Sequence, residues 1–295
     1  MFPITSTTPL WIAARNLLWA HAEEFFLRWE KVVNGFGSED IHDLRVASRR
    51  LREGLALFEP CFPAKEIPRI VKKVKQVTGI LGSLRNTDES VIFFSMLGSA
   101  ERLPAEVEVQ ELLVQLEGER KVARKSLKGE LKALRPGRLK GILSATLDRP
   151  LLFVNDKVDP FQGFSHFADG AITDRAQPLG GLLTQALDEA NISAQHRLRI
   201  AIKRIRYRLE ILEPLFRSGF SELYSTLKGY QEVLGKLHDL DVFAQMVRER
   251  IPEGAGQQSL LRTVADRRTR LYASFVKMNS RSPADAVGAE ARSYL

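Results

Sequence analysis

The 295-residue sequence lacks the marks of a secreted, a membrane-spanning or a metal-thiolate protein. Cys61 is its one cysteine, so the chain forms no internal disulfide and no cluster of thiolate ligands around a metal. No stretch approaches the ~18 consecutive apolar residues of a transmembrane helix. The first residues, MFPITSTTPLW, have neither the basic start nor the apolar run of a secretory signal. These absences predict a cytoplasmic protein that does not associate with a membrane.

Catalytic signatures are also missing from the sequence. There is no glycine-rich phosphate loop of the Walker type and no nucleophile elbow. His42 and His196, together with the segment HDLD at residues 238–241, could suggest a metal site, but no HxxxH or HxxE spacing occurs around either histidine. We therefore predict a protein that is not an enzyme and needs no cofactor or metal. A metal-dependent phosphohydrolase is kept as the least favoured alternative.

What the chain does contain is an excess of positive charge. Lysine and arginine number 44 against 36 acidic residues, which gives a net charge of +8 and a pI near 9.6. A content of 44% hydrophobic and 27% charged residues is ordinary for a folded domain. The basic balance favours an anionic partner, and at this point nucleic acid, lipid and polyphosphate all remain open.

Apolar residues recur with the helical period along most of the chain, and alternating strand-like runs are scarce. This pattern predicts an all-α protein. We predict helices over residues 9–33, 38–59, 64–84 and 105–134, with Ser38 or Asp40 as the N-cap of the second. The proline-containing segment 148–162 is the predicted link between two halves, and the small, polar tail 281–295 is predicted to be disordered.

The chain contains an internal repeat. HDLRVASRRLR at residues 42–52 returns as HRLRIAIKRIR at residues 196–206, and LGSLRNTD at 81–88 returns as LGKLHDLD at 234–241. EPCF and EPLF follow the two basic segments at the same spacing. Two homologous sets of helical hairpins predict a pair of tandem antiparallel four-helix bundles related by a pseudo-twofold axis. We place them at residues 9–148 and 160–280 within a single domain spanning 9–280.

When each basic segment is drawn on a helical wheel, its charged residues lie on one face and its apolar residues lie on the opposite face. At about 100° per residue, Arg45, Arg49 and Arg52 fall near His42, while the leucines gather on the opposite side. Like charges stacked at these spacings repel one another, and the segments contain only Asp43 as an acid. The pattern therefore predicts an anionic ligand, and the prevalence of arginine favours phosphate.

The residues beside the cations indicate which kind of phosphate polymer is bound. Proteins that bind single-stranded nucleic acid add aromatic surfaces on which bases stack, and the basic segments are accompanied only by Tyr207. A polymer without bases needs no such surface. RNA or another nucleic acid recognised by its backbone alone is the alternative partner.

The doubled motif, HDLRVASRRLR with LGSLRNTD and HRLRIAIKRIRY with LGKLHDLD, resembles the two signature halves of the CHAD domain, the conserved histidine α-helical domain. The resemblance covers residues 9 to 280. It implies two four-helix bundles whose basic helices line a central groove that binds inorganic polyphosphate. It further implies a stand-alone bacterial CHAD protein, located in the cytoplasm on polyphosphate granules and in contact with other granule proteins.

The resemblance also implies which residues bind phosphate. In the first half these are His42, Arg45, Arg49, Arg50 and Arg52, and in the second half His196, Arg199, Lys203, Arg204 and Arg206. Further predicted ligands at matching positions of other helices are Lys75, Lys228, Arg120, Arg268, Arg85 and His238. Asp88 and Asp241 are predicted to support the site by holding an arginine of the basic helix.

Overall fold

The computed structural model describes residues 3–35, 37–100, 105–153 and 157–295. Over these residues the chain is all-α, as predicted, and its α-helices follow one another in this order: α1 Leu10–Gly35, α2 Ser38–Leu57, α3 Glu66–Ala100, α4 Glu106–Ala133, α5 Pro136–Leu147, α6 Phe164–Ala176, α7 Leu179–Ala186, α8 Ile192–Leu212, α9 Phe220–Arg250, α10 Ala255–Arg281 and α11 Val287–Ser293. Within the described ranges, no helix combines the length and the apolar character that crossing a membrane requires.

The helices pack in two corresponding series. In the first, α2 packs on α1 and α3, α3 on α4, and α5 on α1 and α3. In the second, α8 packs on α7 and α9, α9 on α10, and α11 on α6 and α9. Helix α2 also packs on α8, and one apolar cluster contains residues of both series. The division into bundles at 9–148 and 160–280 stays a prediction.

Three predicted boundaries differ from the structure, first at the start of α2. Gly37 in an extended conformation is the N-cap, with no side-chain capping bond, and Ser38 is already helical. Asp40 lies in the first turn, where its charge favours the positive end of the helix dipole. Neither Ser38 nor Asp40 is therefore the N-cap.

The second difference is the length of α3, which continues to Ala100 instead of ending near residue 84. Its apolar stripe is interrupted after Leu84, because the next inward-facing positions are polar, and resumes with the buried Val91, Phe94 and Leu97. The apolar pattern in the sequence ends where the interior becomes polar, but the helix continues through this region.

The third difference is the C-terminal tail, which was predicted to be disordered. It forms α11, whose Val287 and Ala291 are buried against α6 and α9. The backbone N–H of Arg217 also donates to the carbonyl of Tyr294. Small residues suit this close packing, so the composition of the tail marks a helix with a narrow apolar face and not disorder.

The apolar core is divided into two clusters along the long helices. The larger cluster includes Leu84 of α3 and Leu237 of α9, and the smaller one begins at Val91 of α3 and Leu240 of α9. The smaller cluster joins the far ends of the α3–α4 and α9–α10 hairpins. On α3 and α9 the residues between the two clusters are mostly polar, so a polar layer interrupts the core.

Buried ion pairs hold α2 against α8 within the larger cluster. Glu53 of α2 is 8% exposed and accepts hydrogen bonds from Arg208 of α8 and Arg175 of α6, at 3.0 and 2.9 Å. Gly54 lies beside Leu18 and Ile211, where a side chain would meet both. The two basic helices are thus fixed side by side.

Candidate functional site

Helices α2 and α8 present apolar residues to the core and cations to the polar layer. Leu44, Leu51, Leu198 and Ile205 are fully buried, as the helical wheel predicts. Because α2 packs on α8, the charged faces of the two helices converge. Cations that are far apart in the sequence are thereby brought together. Arg45 and Arg199, for example, are separated by 154 residues.

The core of the site is a group of cations that we call the basic cluster, made up of Arg45, Arg49, Arg85, Arg199 and Lys203. Burial, with the charges of Arg49, Arg85 and Arg199, lowers the pKa of Arg45 to about 10. Burial, with the charges of Arg199, Arg49 and Arg45, lowers the pKa of Lys203 to about 7. The cations on each basic helix thus lower the pKa of a cation on the other helix. The cations of the two halves therefore form one electrostatic site.

Several guanidinium N–H groups of the two basic helices, α2 and α8, are buried without an acceptor. They are Nε and Nη1 of Arg45, Nε of Arg52 and Nε of Arg199. A buried donor that lacks an acceptor costs about 1–3 kcal/mol. Burial, followed by the charges of Arg49 and Arg204, also lowers the pKa of Arg52. The site therefore holds donors and positive charge that an anion with several oxygens would satisfy.

Two predicted histidines meet beside the basic cluster. Nδ1 of His196 and Nδ1 of His238 are 3.2 Å apart, and the ring centroids are 4.5 Å apart. Burial, with the charges of Arg199, His196 and Lys203, lowers the pKa of His238 to about 4, and burial with Arg199 and Lys203 lowers that of His196. Both rings are therefore neutral at pH 7, and since one Nδ1–H donates to the other Nδ1, the pair keeps one N–H for a ligand.

Two carboxylates in the polar layer were not predicted from the sequence. Glu89 pairs with Arg85 one turn away on α3. Burial raises the pKa of Asp239 of α9, and the charges of Arg199 and Lys203 counteract part of that rise. The signal for Asp239 was present in the segment HDLD, where it stands at the position of Asn86 in the first half. These acids offset part of the positive charge when no ligand is bound.

Arg50 and Arg206 lie apart from the basic cluster, in an ion-paired group around Glu210. Arg50 Nε donates to Glu210, and Nη1 of Arg206 lies 2.9 Å from the same carboxylate. Arg206 is 6% exposed and also donates to Tyr224 and Gln231. The position of Arg206 on the helical wheel predicted a ligand, but the structure already satisfies its charge internally.

The supporting aspartates have partners other than the predicted ones. Asp88 accepts a hydrogen bond from Arg120 of α4 at 2.7 Å, and Asp241 accepts one from Arg268 of α10 at 2.6 Å. The prediction that each aspartate holds an arginine of a basic helix is wrong. The equivalent pairs instead tie α3 to α4 and α9 to α10, and they engage Arg120 and Arg268, which were predicted to bind phosphate.

The remaining predicted ligands lie toward solvent. His42, Lys75, Arg204 and Lys228 are all exposed. Nζ of Lys228 is 3.9 Å from Glu232, and both side chains are more than half exposed. The structure therefore gathers the basic cluster, Arg52 and the two histidines, whereas these four lie at the surface, with Arg204 near enough for its charge to act on Arg52. In the described ranges, no group of three or more His, Cys, Asp or Glu is arranged to hold a metal ion.

Comparison with known proteins gives the same relationship as the motifs. The chain is similar to the crystal structure of the CHAD domain from the plant Ricinus communis, with 24% identity and a TM-score of 0.63 over 100% of this chain and 95% of that one. It is also similar to PptA from Streptomyces chartreusis, with 16% identity and a TM-score of 0.63 over 96% of this chain and 99% of that one. No curated protein matches the chain. The sequence model of the CHAD domain matches residues 16–248, and the chain therefore belongs to the CHAD domain family.

Proposed function

We propose that the basic cluster binds inorganic polyphosphate and that the protein does not hydrolyse it. One observation carries the proposal: cations from both halves converge in a buried layer, where burial and their mutual charge lower the pKa of Arg45 and of Lys203. A buried cluster of like charges is relieved by a polyanion, which also provides acceptors for the buried N–H groups. The ligand would thus be bound by α2 and α8 together.

Binding has a low cost in broken protein contacts. The pair between Arg85 and Glu89 is about one-third exposed, so water and salt screen it and a phosphate group can replace the carboxylate. The neutral pair of His196 and His238 keeps one N–H that can donate to a phosphate oxygen without adding charge. The ligand would exchange one weak pair for several charge-assisted hydrogen bonds.

A polymer without bases suits the site better than nucleic acid does. Tyr207 is 4% exposed, and the guanidinium of Arg206 lies 4.6 Å from the centre of its ring, so neither face is free to stack on a base. Backbone-directed RNA binding is the alternative, and it requires the same cations. If the ligand is polyphosphate, the protein would associate with polyphosphate granules in the cell.

The test compares reversal of clustered charge with reversal of equal charge elsewhere. The double variant R49E/R199E should bind polyphosphate about a hundredfold more weakly, roughly 1.4 kcal/mol for each arginine, because each loses charge-assisted hydrogen bonds. The control K140E/K277E, at two exposed positions, should bind within about threefold of the unmodified protein. Calorimetry measures both affinities, and circular dichroism checks that the helices are retained.

Two results would contradict the proposal. One is RNA with a matched number of phosphates binding as tightly as polyphosphate at physiological salt. The other is release of inorganic phosphate from polyphosphate by the purified protein, with R49E/R199E inactive in the same assay. The first would favour the nucleic-acid alternative, and the second would identify an enzyme.

A further inference from the structure

A second basic surface lies in a groove between α3 and α5, apart from the basic cluster. The groove encloses a volume of about 890 Å³, and no member of the basic cluster is among its lining residues. Six exposed cations line this α3/α5 groove: Arg69, Lys72, Lys73, Arg135, Arg138 and Arg149. The groove is therefore a concave surface with cations on both of its sides.

The cations form two rows, one along each helix. The three cations of α3 are spaced i, i+3 and i+4, which places them on one face of that helix. Arg138 and Arg149 are eleven residues apart, a spacing of about three turns that returns to the same side of α5. The hydroxyl of Thr146 donates to Glu66 at 2.7 Å and holds the end of α5 against the first turn of α3. The two rows therefore lie side by side for about 15 Å.

The chain itself does not neutralise these cations. In the part of the protein that the structure describes, none of the six forms an ion pair. Glu66 is the one acid among the described lining residues, and Asp148, next to Arg149 in the sequence, is paired with Arg15 at 2.7 Å. Cations of one row repel one another at these spacings. An anionic ligand would relieve that repulsion.

The internal repeat provides a comparison within the same molecule. With the separation of 153 that relates Lys75 to Lys228, the cations of the α3 row correspond to Glu222, Ser225 and Thr226. These three residues line a smaller pocket beside α9, and its described lining contains no lysine or arginine. The charge of the α3 row is therefore a property of the first half and does not follow from the fold.

The rest of the lining indicates which kind of anion fits the α3/α5 groove. Ile70 and Leu139 belong to the buried core, so they offer little surface to an apolar partner. Among the described lining residues there is no aromatic side chain on which a nucleic-acid base could stack. A phosphate chain needs neither kind of surface, because each of its units carries charge and acceptor oxygens for a lysine or an arginine. The groove therefore suits a linear phosphate polymer best.

We propose, on the basis of the proposed function, that the α3/α5 groove is a second binding site for inorganic polyphosphate and that one long chain occupies it together with the basic cluster. Lys73 of the groove and Arg85 of the basic cluster both lie on α3, and twelve residues separate them along the helix axis by about 18 Å. Once a long chain is held at one site, its second contact is intramolecular. The groove would thus give the protein a preference for long chains.

Three variants that change the net charge by the same amount test the groove. R69E/K72S/K73T gives the α3 row the residues of the second half, and R138E/R149E reverses two cations beside α5. K140E/K277E is the control outside the groove. All these positions are exposed, so the variants should fold, which circular dichroism checks. Calorimetry at physiological salt compares tripolyphosphate with a chain of about sixty phosphates, long enough to reach both sites.

Each groove variant should bind the long chain about tenfold more weakly than the control does, because the second contact is lost. Tripolyphosphate should bind both groove variants within about twofold of the control, since a short chain reaches only one site. R49E/R199E should lose tripolyphosphate binding and keep weak binding of the long chain. Adding R138E/R149E to that variant should abolish the remaining binding.

The outcomes separate the groove from the basic cluster. Groove variants that bind the long chain as tightly as the control does would overturn the groove site and leave the proposed function intact. Unchanged tripolyphosphate binding in R49E/R199E would contradict the proposed function, while a loss of long-chain binding confined to the groove variants would still support the groove site. RNA of about sixty nucleotides with the same tenfold dependence on the groove would overturn its assignment to polyphosphate.

Discussion

At the scale of the residue, the nearest carboxylate determines whether an arginine of the basic helices is ion-paired or available to bind a ligand. Arg45 and Arg206 both lie on the charged face of their helices, yet Arg45 has buried donors without acceptors and Arg206 is paired with Glu210. Glu210 also pairs with Arg50, which is 160 residues away in the chain. The helical wheel places a side chain on a face, but a distant acid decides whether its charge is free for a ligand.

Lys203 makes the stability of the free protein depend on pH. Its folded-state pKa of about 7 lies below its ordinary value of 10.5, mainly because of burial and the charge of Arg199. Between these pH values the unfolded chain binds more protons than the folded chain does. The contribution of Lys203 to the free energy of unfolding therefore rises with pH across this window and is lost as pH falls through about 7.

We expect polyphosphate binding to take up a proton on Lys203, because the anion raises the pKa of this lysine again. Affinity should therefore fall as pH rises above about 7, with a slope that approaches about tenfold per pH unit. K203M should remove this dependence. Calorimetry in buffers of different ionisation enthalpy measures the proton uptake directly. Equal pH slopes for K203M and the unmodified protein would exclude Lys203 as the source.

At the scale of the element, α3 and α9 are continuous helices that pass through both apolar clusters and the polar layer between them. Each is tied to the next helix by an equivalent ion pair, Asp88 with Arg120 and Asp241 with Arg268. These pairs lie close to the point where the polar layer ends and the smaller cluster begins. They satisfy charges that would otherwise face the apolar ends of the hairpins.

Removing one such carboxylate should destabilise the fold more than it weakens binding. We expect D241A to lower the free energy of unfolding by about 2 kcal/mol, because Arg268 is left mostly buried with only part of its hydrogen bonding. E232A removes the exposed pair with Lys228 from the same helix and should change stability by less than about 0.5 kcal/mol. Chemical denaturation measures both, and equal losses would mean that the Asp241 pair has no structural role.

At the scale of the whole molecule, the basic cluster forms because α2 packs against α8. The basic cluster takes Arg45, Arg49 and Arg85 from the first half and Arg199 and Lys203 from the second. The contact of α2 with α8 brings these residues into one field. The smaller apolar cluster joins the hairpin ends beyond them, so the charged layer is bounded by packed core on both sides.

Arg49 and Lys203, from different halves, should therefore be coupled in binding. The charge of Arg49 lowers the pKa of Lys203, so R49A loses a contact but eases protonation of the lysine. We expect the loss of polyphosphate affinity in R49A/K203A to exceed the sum of the two single losses, measured by calorimetry at pH 8. Losses that add within about 0.5 kcal/mol would show two independent sites.

Much of the fold could be predicted because the apolar period and the repeat are local properties. The wheel positions of Leu44, Leu51 and Leu198 predicted burial correctly, and the doubled motif predicted the family. The end of α3 was missed, because a pattern of apolar residues stops wherever a helix faces a polar interior. The helix of the tail was missed as well, since small residues pack closely without producing a long apolar stripe.

The sequence by itself determined the helices, their duplication and the separation of charge from apolar surface on α2 and α8, because each follows from residues a few positions apart. Only the tertiary structure decided which cations stay unpaired, since that depends on long-range partners. Glu210 forms ion pairs with Arg50 and Arg206. Asp88 pairs with Arg120, and Asp241 pairs with Arg268. Burial and the charge of Arg199 on the same helix lower the pKa of Lys203, and the charges of Arg49 and Arg45 add to this effect only when α2 lies against α8.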